Sequence, residues 1–223
     1  GISFKMIRVE GGSFMMGAPE NDSDAYSDEK PQHRVTLSNY YIGETPVTQA
    51  LWKAVMGSNP SYMKGDNLPV EYVSWNDCQE FIEKLNQKTG RRFRLPTEAQ
   101  WEFAARGGKK SKGFKYAGSN NIDEVAWYDG NSGSKTHPVK GKKANELGLY
   151  DMSGNVWEWC QDWIGDYSSG SQTDPTGPTG GSGRVSRGGG WGYGAGDCRL
   201  SYRDDDAPDD RFGYLGFRLA LSE

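Results

Sequence analysis

The sequence has few residues of the kinds that build metal clusters and disulfide frameworks. It contains three cysteines and two histidines among 223 residues. The cysteines, Cys78, Cys160 and Cys198, lie far apart, and no Cys-x-x-Cys pair is present. An odd number of widely spaced cysteines argues against a disulfide framework, and it provides neither a zinc-binding pair nor a redox pair.

Long apolar runs and a basic excess are also absent. No stretch approaches the ~18 apolar residues that cross a membrane, and residues 1–4 show no signal-peptide pattern. The net charge is -4, so the chain offers no basic face for nucleic acid. We expect a soluble domain with no membrane span and no nucleic-acid partner. Because the first residue is Gly rather than Met, export or surface anchoring stays compatible with the sequence.

Glycine and aromatic residues are what the sequence has in quantity. It is 35% hydrophobic and 13% aromatic, which suits one domain spanning residues 1–223 with a real core. The 31 glycines and 8 tryptophans favour tight turns and loops fixed by large rings over long regular elements. We therefore expect little regular secondary structure.

Three helices are predicted from capping and periodicity. The first covers residues 45–57, with a hydroxyl and a proline at its start and a glycine at its end. The second covers residues 74–90 and places Cys78 on its apolar face, so this thiol should be buried. The third covers residues 97–107, where Thr97 and the glutamine three positions later have capping-box spacing.

Strand signals are short and separated by turns. Residues 6–9 and 11–17 flank a glycine turn and predict a hairpin, and residues 34–37 predict another strand. Between them, the acidic stretch 20–30 has little apolar surface to bury, so we expect a solvated loop there. After residue 107 the pattern predicts only short strands and turns.

A set of sequence blocks, in order across nearly the whole chain, resembles the formylglycine-generating enzyme (sulfatase-modifying factor) family. The blocks are GGSFMMG at 11–17, RLPTEAQWE at 94–102, GLYDMSGNVWEW at 148–159, and RGGGW at 187–191 with GFR at 216–218. The resemblance implies an α+β, irregular C-type lectin-like fold with a small sheet and a few helices. The tryptophans of these blocks are expected to fix loops in the core, namely Trp101, Trp157, Trp159 and Trp191.

The resemblance also raises the hypothesis of a copper-dependent oxidase that converts a cysteine of client sulfatases to formylglycine. Family enzymes hold Cu(I) between two thiolates, because soft sulfur ligands select that ion. Matching the motif at 188–191 puts the second of these cysteines on Cys198 and the first on Tyr193. A phenol cannot replace a thiolate for Cu(I), so copper is not expected. The oxidase, with Cys198 as its one catalytic candidate, is kept as the alternative function.

A structural calcium ion is a second implication of the resemblance. The family binds calcium in the Asn-Val-Trp-Glu region, and the motif match carries side-chain ligands onto Asp151 and Glu158 and backbone ligands onto Gly154 and Val156. Such hard oxygen ligands suit calcium. The alternative is that Glu158 pairs with an arginine inside the core.

The C-terminal tract resembles the variable region of diversity-generating retroelement proteins, which display altered residues on this fold. Small, acidic and aromatic residues alternate there, as in protein paratopes. We predict a ligand-binding module whose protein or glycan ligand contacts Tyr193, Asp197, Asp204, Asp205, Phe212 and Tyr214. The three rings should then share one exposed face. The alternative is a pair of glycine-rich loops that cover a vestigial active site.

Overall fold

The computed structural model describes residues 2–223, in which short strands alternate with a few helices. The strands are β1 (Met6–Val9), β2 (Gly12–Met16), β3 (His33–Leu37), β4 (Tyr40–Gly43), β5 (Phe93–Arg94), β6 (Trp157–Trp163), β7 (Gln172–Thr173), β8 (Arg184–Arg187), β9 (Arg203–Asp206), β10 (Leu215–Phe217) and β11 (Ala220–Ser222). The helices are α1 (Gln49–Met56), α2 (Trp75–Thr89), α3 (Glu98–Ala105) and α4 (Ile122–Val125). The expected scarcity of long regular elements is confirmed.

The strands of the described residues form three small sheets. Their orders are β1-β4-β11-β5, β10-β6-β8-β9 and β2-β3-β7. In the first sheet β11 pairs with β4, so the last residues of the chain lie beside its first strands. In the second sheet β6 runs parallel to β10 and antiparallel to β8. This second sheet supports the C-terminal loops.

The predicted hairpin between residues 6–9 and 11–17 is wrong. Strand β1 pairs with β4, and β2 pairs with β3 in a different sheet. The chain crosses between the two sheets at Gly11, where a Cβ would lie 2.2 Å from the carbonyl oxygen of Leu37. Gly11 is therefore required by a close approach of two backbone segments, not by a hairpin turn.

The predicted helices are confirmed, with one shifted start. Helix α1 begins at Gln49 with Thr48 as its N-cap, whereas the sequence suggested a start at Thr45. Val47 is not part of the helix because its carbonyl accepts the N–H of Val70 at 2.8 Å, whereas the N–H of Leu51 bonds to the side chain of Thr48. Helices α2 and α3 have the capping boxes that their sequences indicate. The short α4 and the seven-residue β6 were not predicted.

Arginine–glutamate pairs cross the interior. Each of four buried arginines contacts a buried glutamate, in the pairs Arg187–Glu102, Arg199–Glu29, Arg203–Glu98 and Arg218–Glu158. One of them corrects the prediction that the acidic stretch 20–30 is simply solvated. Glu29 is fully buried and accepts two hydrogen bonds of 2.7 Å from Arg199, so the end of this loop is fixed to the C-terminal half.

No helix among residues 2–223 has the length and apolarity needed to cross a membrane.

Candidate functional site

The C-terminal loops leave the second sheet at a run of glycines. After β8, Gly188 and Gly189 have φ of +97° and +73°, which an L side chain rarely adopts. A Cβ on Gly189 would also lie 2.7 Å from the sulfur of Cys198. These two constraints fold the chain back over β6 and so position the loop that carries Tyr193. A second loop, between β9 and β10, carries Phe212 and Tyr214.

The two loops bring their aromatic rings together over Trp157. Tyr193 and Tyr214 meet edge to face with ring centroids 4.9 Å apart, and Phe212 stacks on Tyr214 at 5.0 Å. Tyr202 lies 5.8 Å from the Trp157 ring, which Tyr193 also contacts at 5.4 Å. We call the partly exposed rings of Tyr193, Tyr202, Phe212 and Tyr214 the aromatic surface.

The rings of the aromatic surface are half-buried rather than fully exposed. Tyr193, Phe212 and Tyr214 therefore share one face, as expected, but they also pack against the core beneath them. Burial and mutual hydrogen bonding raise the pKa of the Tyr193 hydroxyl. A ligand would meet the outer edges of rings whose positions are already fixed.

Acidic side chains border this surface. Asp204 and Asp206 alternate with Asp205 along β9, so the first two share one face of the strand. In the sheet register Asp204 lies opposite Ser186 and Ser186 lies opposite Trp159, so both aspartates are on the face of the sheet that also carries Trp157 and the rings above it. Burial and the neighbouring carboxylates raise the pKa of Asp206 to about 7. Asp206 was missing from the predicted set because an acidic run gives no clue to which face matters.

Two of the predicted residues have other surroundings. Asp205 lies on the opposite face of β9, where its carboxylate is next to Gly183, away from the rings. Asp197 accepts a hydrogen bond of 2.9 Å from the N–H of Gly194 and so closes the turn after Tyr193. Burial, with the charge of Asp197 as a further cause, raises the pKa of the Tyr202 hydroxyl.

Aromatic residues from distant parts of the sequence extend the surface. Tyr26 meets the Tyr202 ring edge to face at 5.7 Å and is 62% exposed. Tyr62 is 82% exposed and lies next to Gly213, whose Cβ would be 3.9 Å from that of the tyrosine. Tyr72 is bonded through its N–H to the carbonyl of Phe212 at 3.0 Å. Single tyrosines in loops carry no sequence signal, so only the fold reveals them.

Two buried polar atoms beneath the loops have no hydrogen-bond partner. One is the indole nitrogen of Trp157, which is 2% exposed, and the other is Oε2 of Glu71, a fully buried residue. A Cβ on Gly190 would lie 3.2 Å from the ring carbon next to the indole nitrogen, and a Cβ on Gly213 would lie 3.6 Å from Oε2 of Glu71. Burial raises the pKa of Glu71 to about 7.

The residues present do not fit a copper site. Cys198 is fully buried, and burial together with the charge of Asp197 raises the pKa of its thiol, so the thiolate is disfavoured. Its motif partner is Tyr193, whose hydroxyl is also held neutral by a raised pKa. Within residues 2–223 no cluster of three or more histidine, cysteine or carboxylate side chains is arranged to hold a metal.

The predicted calcium ligands have protein partners. Both oxygens of Glu158 accept hydrogen bonds from Arg218, and one of them also accepts from the indole of Trp101 at 2.7 Å. Asp151 accepts from the N–H of Lys140 and from the amide of Asn155. A cation at Glu158 would have to displace Arg218, so the side chains as they stand do not fit calcium there.

Comparisons with known proteins agree on the family of this fold. The model of the sulfatase-modifying factor enzyme 1-like domain matches residues 3–223. The chaperone protein LppX of Paenibacillus barcinonensis is 38% identical over an alignment that covers 90% of this chain and 83% of the relative. The formylglycine-generating enzyme of Streptomyces coelicolor is 30% identical, with 96% and 88% of the two chains covered.

A solved structure matches along the whole chain. Treponema denticola variable protein 1 superposes with a TM-score of 0.93 at 38% sequence identity, covering 100% of this chain and 96% of that protein. The similarity includes both C-terminal loops, so the resemblance of this tract to variable proteins, inferred from its composition, is confirmed at the level of the fold.

Proposed function

We propose that this chain, which belongs to the sulfatase-modifying factor enzyme 1-like family, is a ligand-binding module that uses the aromatic surface. The observation that carries the proposal is the joining of Tyr193, Phe212 and Tyr214 from two loops into one partly exposed cluster. Rings held in place by packing contribute contact area at low entropic cost, which is how aromatic anchors act in binding surfaces.

The framework under these loops supports a surface whose side chains can vary. Arg187, Arg199 and Arg203 are buried and bonded to glutamates outside the two loops, so the backbone path does not depend on the displayed rings. The similarity to a variable protein is in line with this division of roles. We propose diversified display as the finer form of the function, with Tyr193, Asp197, Asp204, Phe212 and Tyr214 among the displayed residues.

The oxidase alternative has less support. It needs a reactive thiolate, whereas Cys198 is buried with a raised thiol pKa and has no second cysteine in its motif. The alternative of loops that merely cover a vestigial site predicts buried rings. Partial exposure of the rings, together with the highly exposed Tyr62 beside them, favours binding.

Panning a random peptide phage library on the immobilised protein tests the proposal. Enriched peptides should lose at least tenfold in affinity for the Tyr193→Ala/Tyr214→Ala variant, because both anchors are removed. The matched control is Phe4→Ala/Tyr41→Ala, which removes two rings near the first sheet and should leave binding unchanged. Peptides that bind all three proteins equally would contradict the proposal, provided that the variants melt as single folded species.

The gene neighbourhood gives an independent check on diversification. A reverse-transcriptase gene with an adenine-rich template copy of residues 187–218 is the expected finding. An adjacent sulfatase gene without such a template would favour the oxidase instead.

A further inference from the structure

We propose that the aromatic surface takes a positively charged protein segment, with a lysine or arginine side chain seated between the Tyr193 and Tyr214 rings and the carboxylates of Asp204 and Asp206. The inference rests on the proposed function and names the chemical class of its ligand.

The aspartates around the surface have no ion-pair partner within the described chain. Six aspartates lie between residues 197 and 210, and within the described chain none of them forms an ion pair with a lysine or arginine side chain. The arginines of the same tract are engaged with other carboxylates, and one of them, Arg199, also has its guanidinium 5.6 Å from the centroid of the Tyr202 ring. Arg199 and Arg203 are bonded to buried glutamates, and Arg211 pairs with Asp77 on α2. Positive charge from a partner would therefore be the complement that this surface lacks.

The rings add a second source of attraction for a cation. A lysine or arginine over the face of a tyrosine is drawn by the ring quadrupole, and the interaction strengthens when the site is partly desolvated. Because Tyr193 and Tyr214 meet edge to face, their ring planes differ by 73°, and the two ring faces border the same region of the surface. The register of the second sheet puts Asp204 and Asp206 on the face that carries Trp157 and these rings. A cation beside these rings would relieve the mutual repulsion of the carboxylates.

The unpartnered polar atoms indicate that the occupant is a peptide rather than a simple cation. The Trp157 indole N–H is buried, has no acceptor, and faces the base of the surface at Gly190. A buried donor without a partner is costly and is rare in folded proteins. A peptide carbonyl would satisfy it, while the Glu71 oxygen next to Gly213 would accept a hydrogen bond from a basic side chain or a peptide N–H.

The test uses three fluorescein-labelled peptides in a glycine–serine background, carrying four arginines, four glutamates or four leucines. We expect saturable binding of the arginine peptide in fluorescence anisotropy and about tenfold weaker binding of the other two. Binding should weaken several-fold between 50 and 300 mM salt, because screening acts on exposed charges. The Asp204→Asn/Asp206→Asn variant should lose about tenfold in affinity for the arginine peptide alone.

The matched control changes the same amount of charge at exposed sites elsewhere. Glu10→Gln/Glu83→Gln removes one carboxylate beside β1 and one on α2, and it should leave arginine-peptide binding within twofold. Equal loss in both double variants would reduce the effect to net charge and would overturn the inference. So would the absence of arginine-peptide binding.

Failure of this inference can be told apart from failure of the proposed function. The leucine peptide, or chitotetraose measured by calorimetry, could bind instead of the arginine peptide. If Tyr193→Ala/Tyr214→Ala abolishes that binding and Asp204→Asn/Asp206→Asn leaves it unchanged, the binding surface is supported and its cationic ligand is rejected. Binding that ignores all four substitutions would reject both. Trp157→Phe keeps an aromatic ring at this position and removes the indole N–H. It should weaken binding of the arginine peptide while leaving the melting temperature within a few degrees of the wild-type value.

Discussion

Arg218 holds both carboxylate oxygens of Glu158 in the core. Its Nε donates to Oε2 at 2.6 Å and one Nη donates to Oε1 at 2.7 Å, and both residues are fully buried. The same guanidinium donates to the carbonyls of Gly43 and Tyr150. This one pair therefore connects β6, the end of β10 and β4, and it uses the carboxylate that the sequence motif assigned to calcium.

Replacing Glu158 with alanine should cost about 3–5 kcal/mol in the free energy of unfolding, because Arg218 would be left buried without its counter-charge. Urea denaturation measures this. Glu80→Ala, which breaks an exposed pair with Lys84, should cost under about 1 kcal/mol.

The calcium proposal and the ion-pair interpretation differ in their response to a chelator. A calcium ion bound only to the folded state would raise the melting temperature by mass action, and EDTA would lower it. Because both oxygens of Glu158 are engaged, we expect the wild-type midpoint to be the same in EDTA and in calcium. If EDTA lowers the melting temperature of the wild type but not that of Glu158→Ala, the result would support calcium binding at Glu158.

Incubation with Cu(I), dioxygen and a Cys-x-Pro-x-Arg peptide should yield no formylglycine by mass spectrometry. The expected reason is that Cys198 is buried, its thiol pKa is raised and it lacks a second thiolate. Tyr193→Cys restores the number of thiols, and we expect it to remain inactive because Cys198 stays inaccessible. Product from the wild-type protein would overturn the binding function in favour of the oxidase.

Asp162 should make the protein less stable as the pH rises. This buried carboxyl lines a cavity of about 520 Å³, and burial together with Glu98 raises its pKa from 3.8 to about 7. Between about pH 4 and 7 the folded protein retains a proton on Asp162 that the unfolded chain releases. The free energy of unfolding therefore falls as the pH rises through this range. Asp162→Asn should match the wild type at pH 4 and exceed it by up to about 4 kcal/mol at pH 8, because each pKa unit corresponds to about 1.4 kcal/mol.

The control for this pH effect is Asp166→Asn, an exposed neighbour that lines the same cavity. Because this side chain is exposed, the substitution should not reproduce the gain in stability at pH 8. Parallel curves for wild type and Asp162→Asn would show that Asp162 is ionised in the fold and would contradict the prediction.

Gly189→Ala should destabilise the protein by about 1–3 kcal/mol, since a Cβ there meets the sulfur of Cys198 and the φ of +73° is strained for alanine. Gly192→Ala, three residues along the same loop, has nothing within 4 Å of its Cβ and should change stability by under about 0.5 kcal/mol. Thermal melts of the two variants show whether the loop requires a glycine at position 189 but not at position 192. Equal effects would mean that the loop can adjust around Cys198.

Local signals in the sequence determined the elements whose ends are set by their own residues. Ser74 and Gly90 cap α2, and Thr97 with Gln100 begins α3, because a cap depends on groups three or four positions away. The order of the motif blocks likewise determined the family. Where a tertiary contact competes with a local signal, as at Val47 before α1 or Gly11 after β1, the sequence alone predicted the wrong boundary or pairing.

The candidate site depended far more on tertiary structure. The sequence located the two C-terminal loops, but it could not show that Asp204 and Asp206 share a face with the rings while Asp205 faces away, because that division depends on the register of β9 in its sheet. It also could not show that Tyr62 lies beside Gly213, which comes about 150 positions later in the chain. Local capping depends on short-range hydrogen bonds that a sequence window contains, whereas a binding surface depends on long-range packing, which only the folded chain decides.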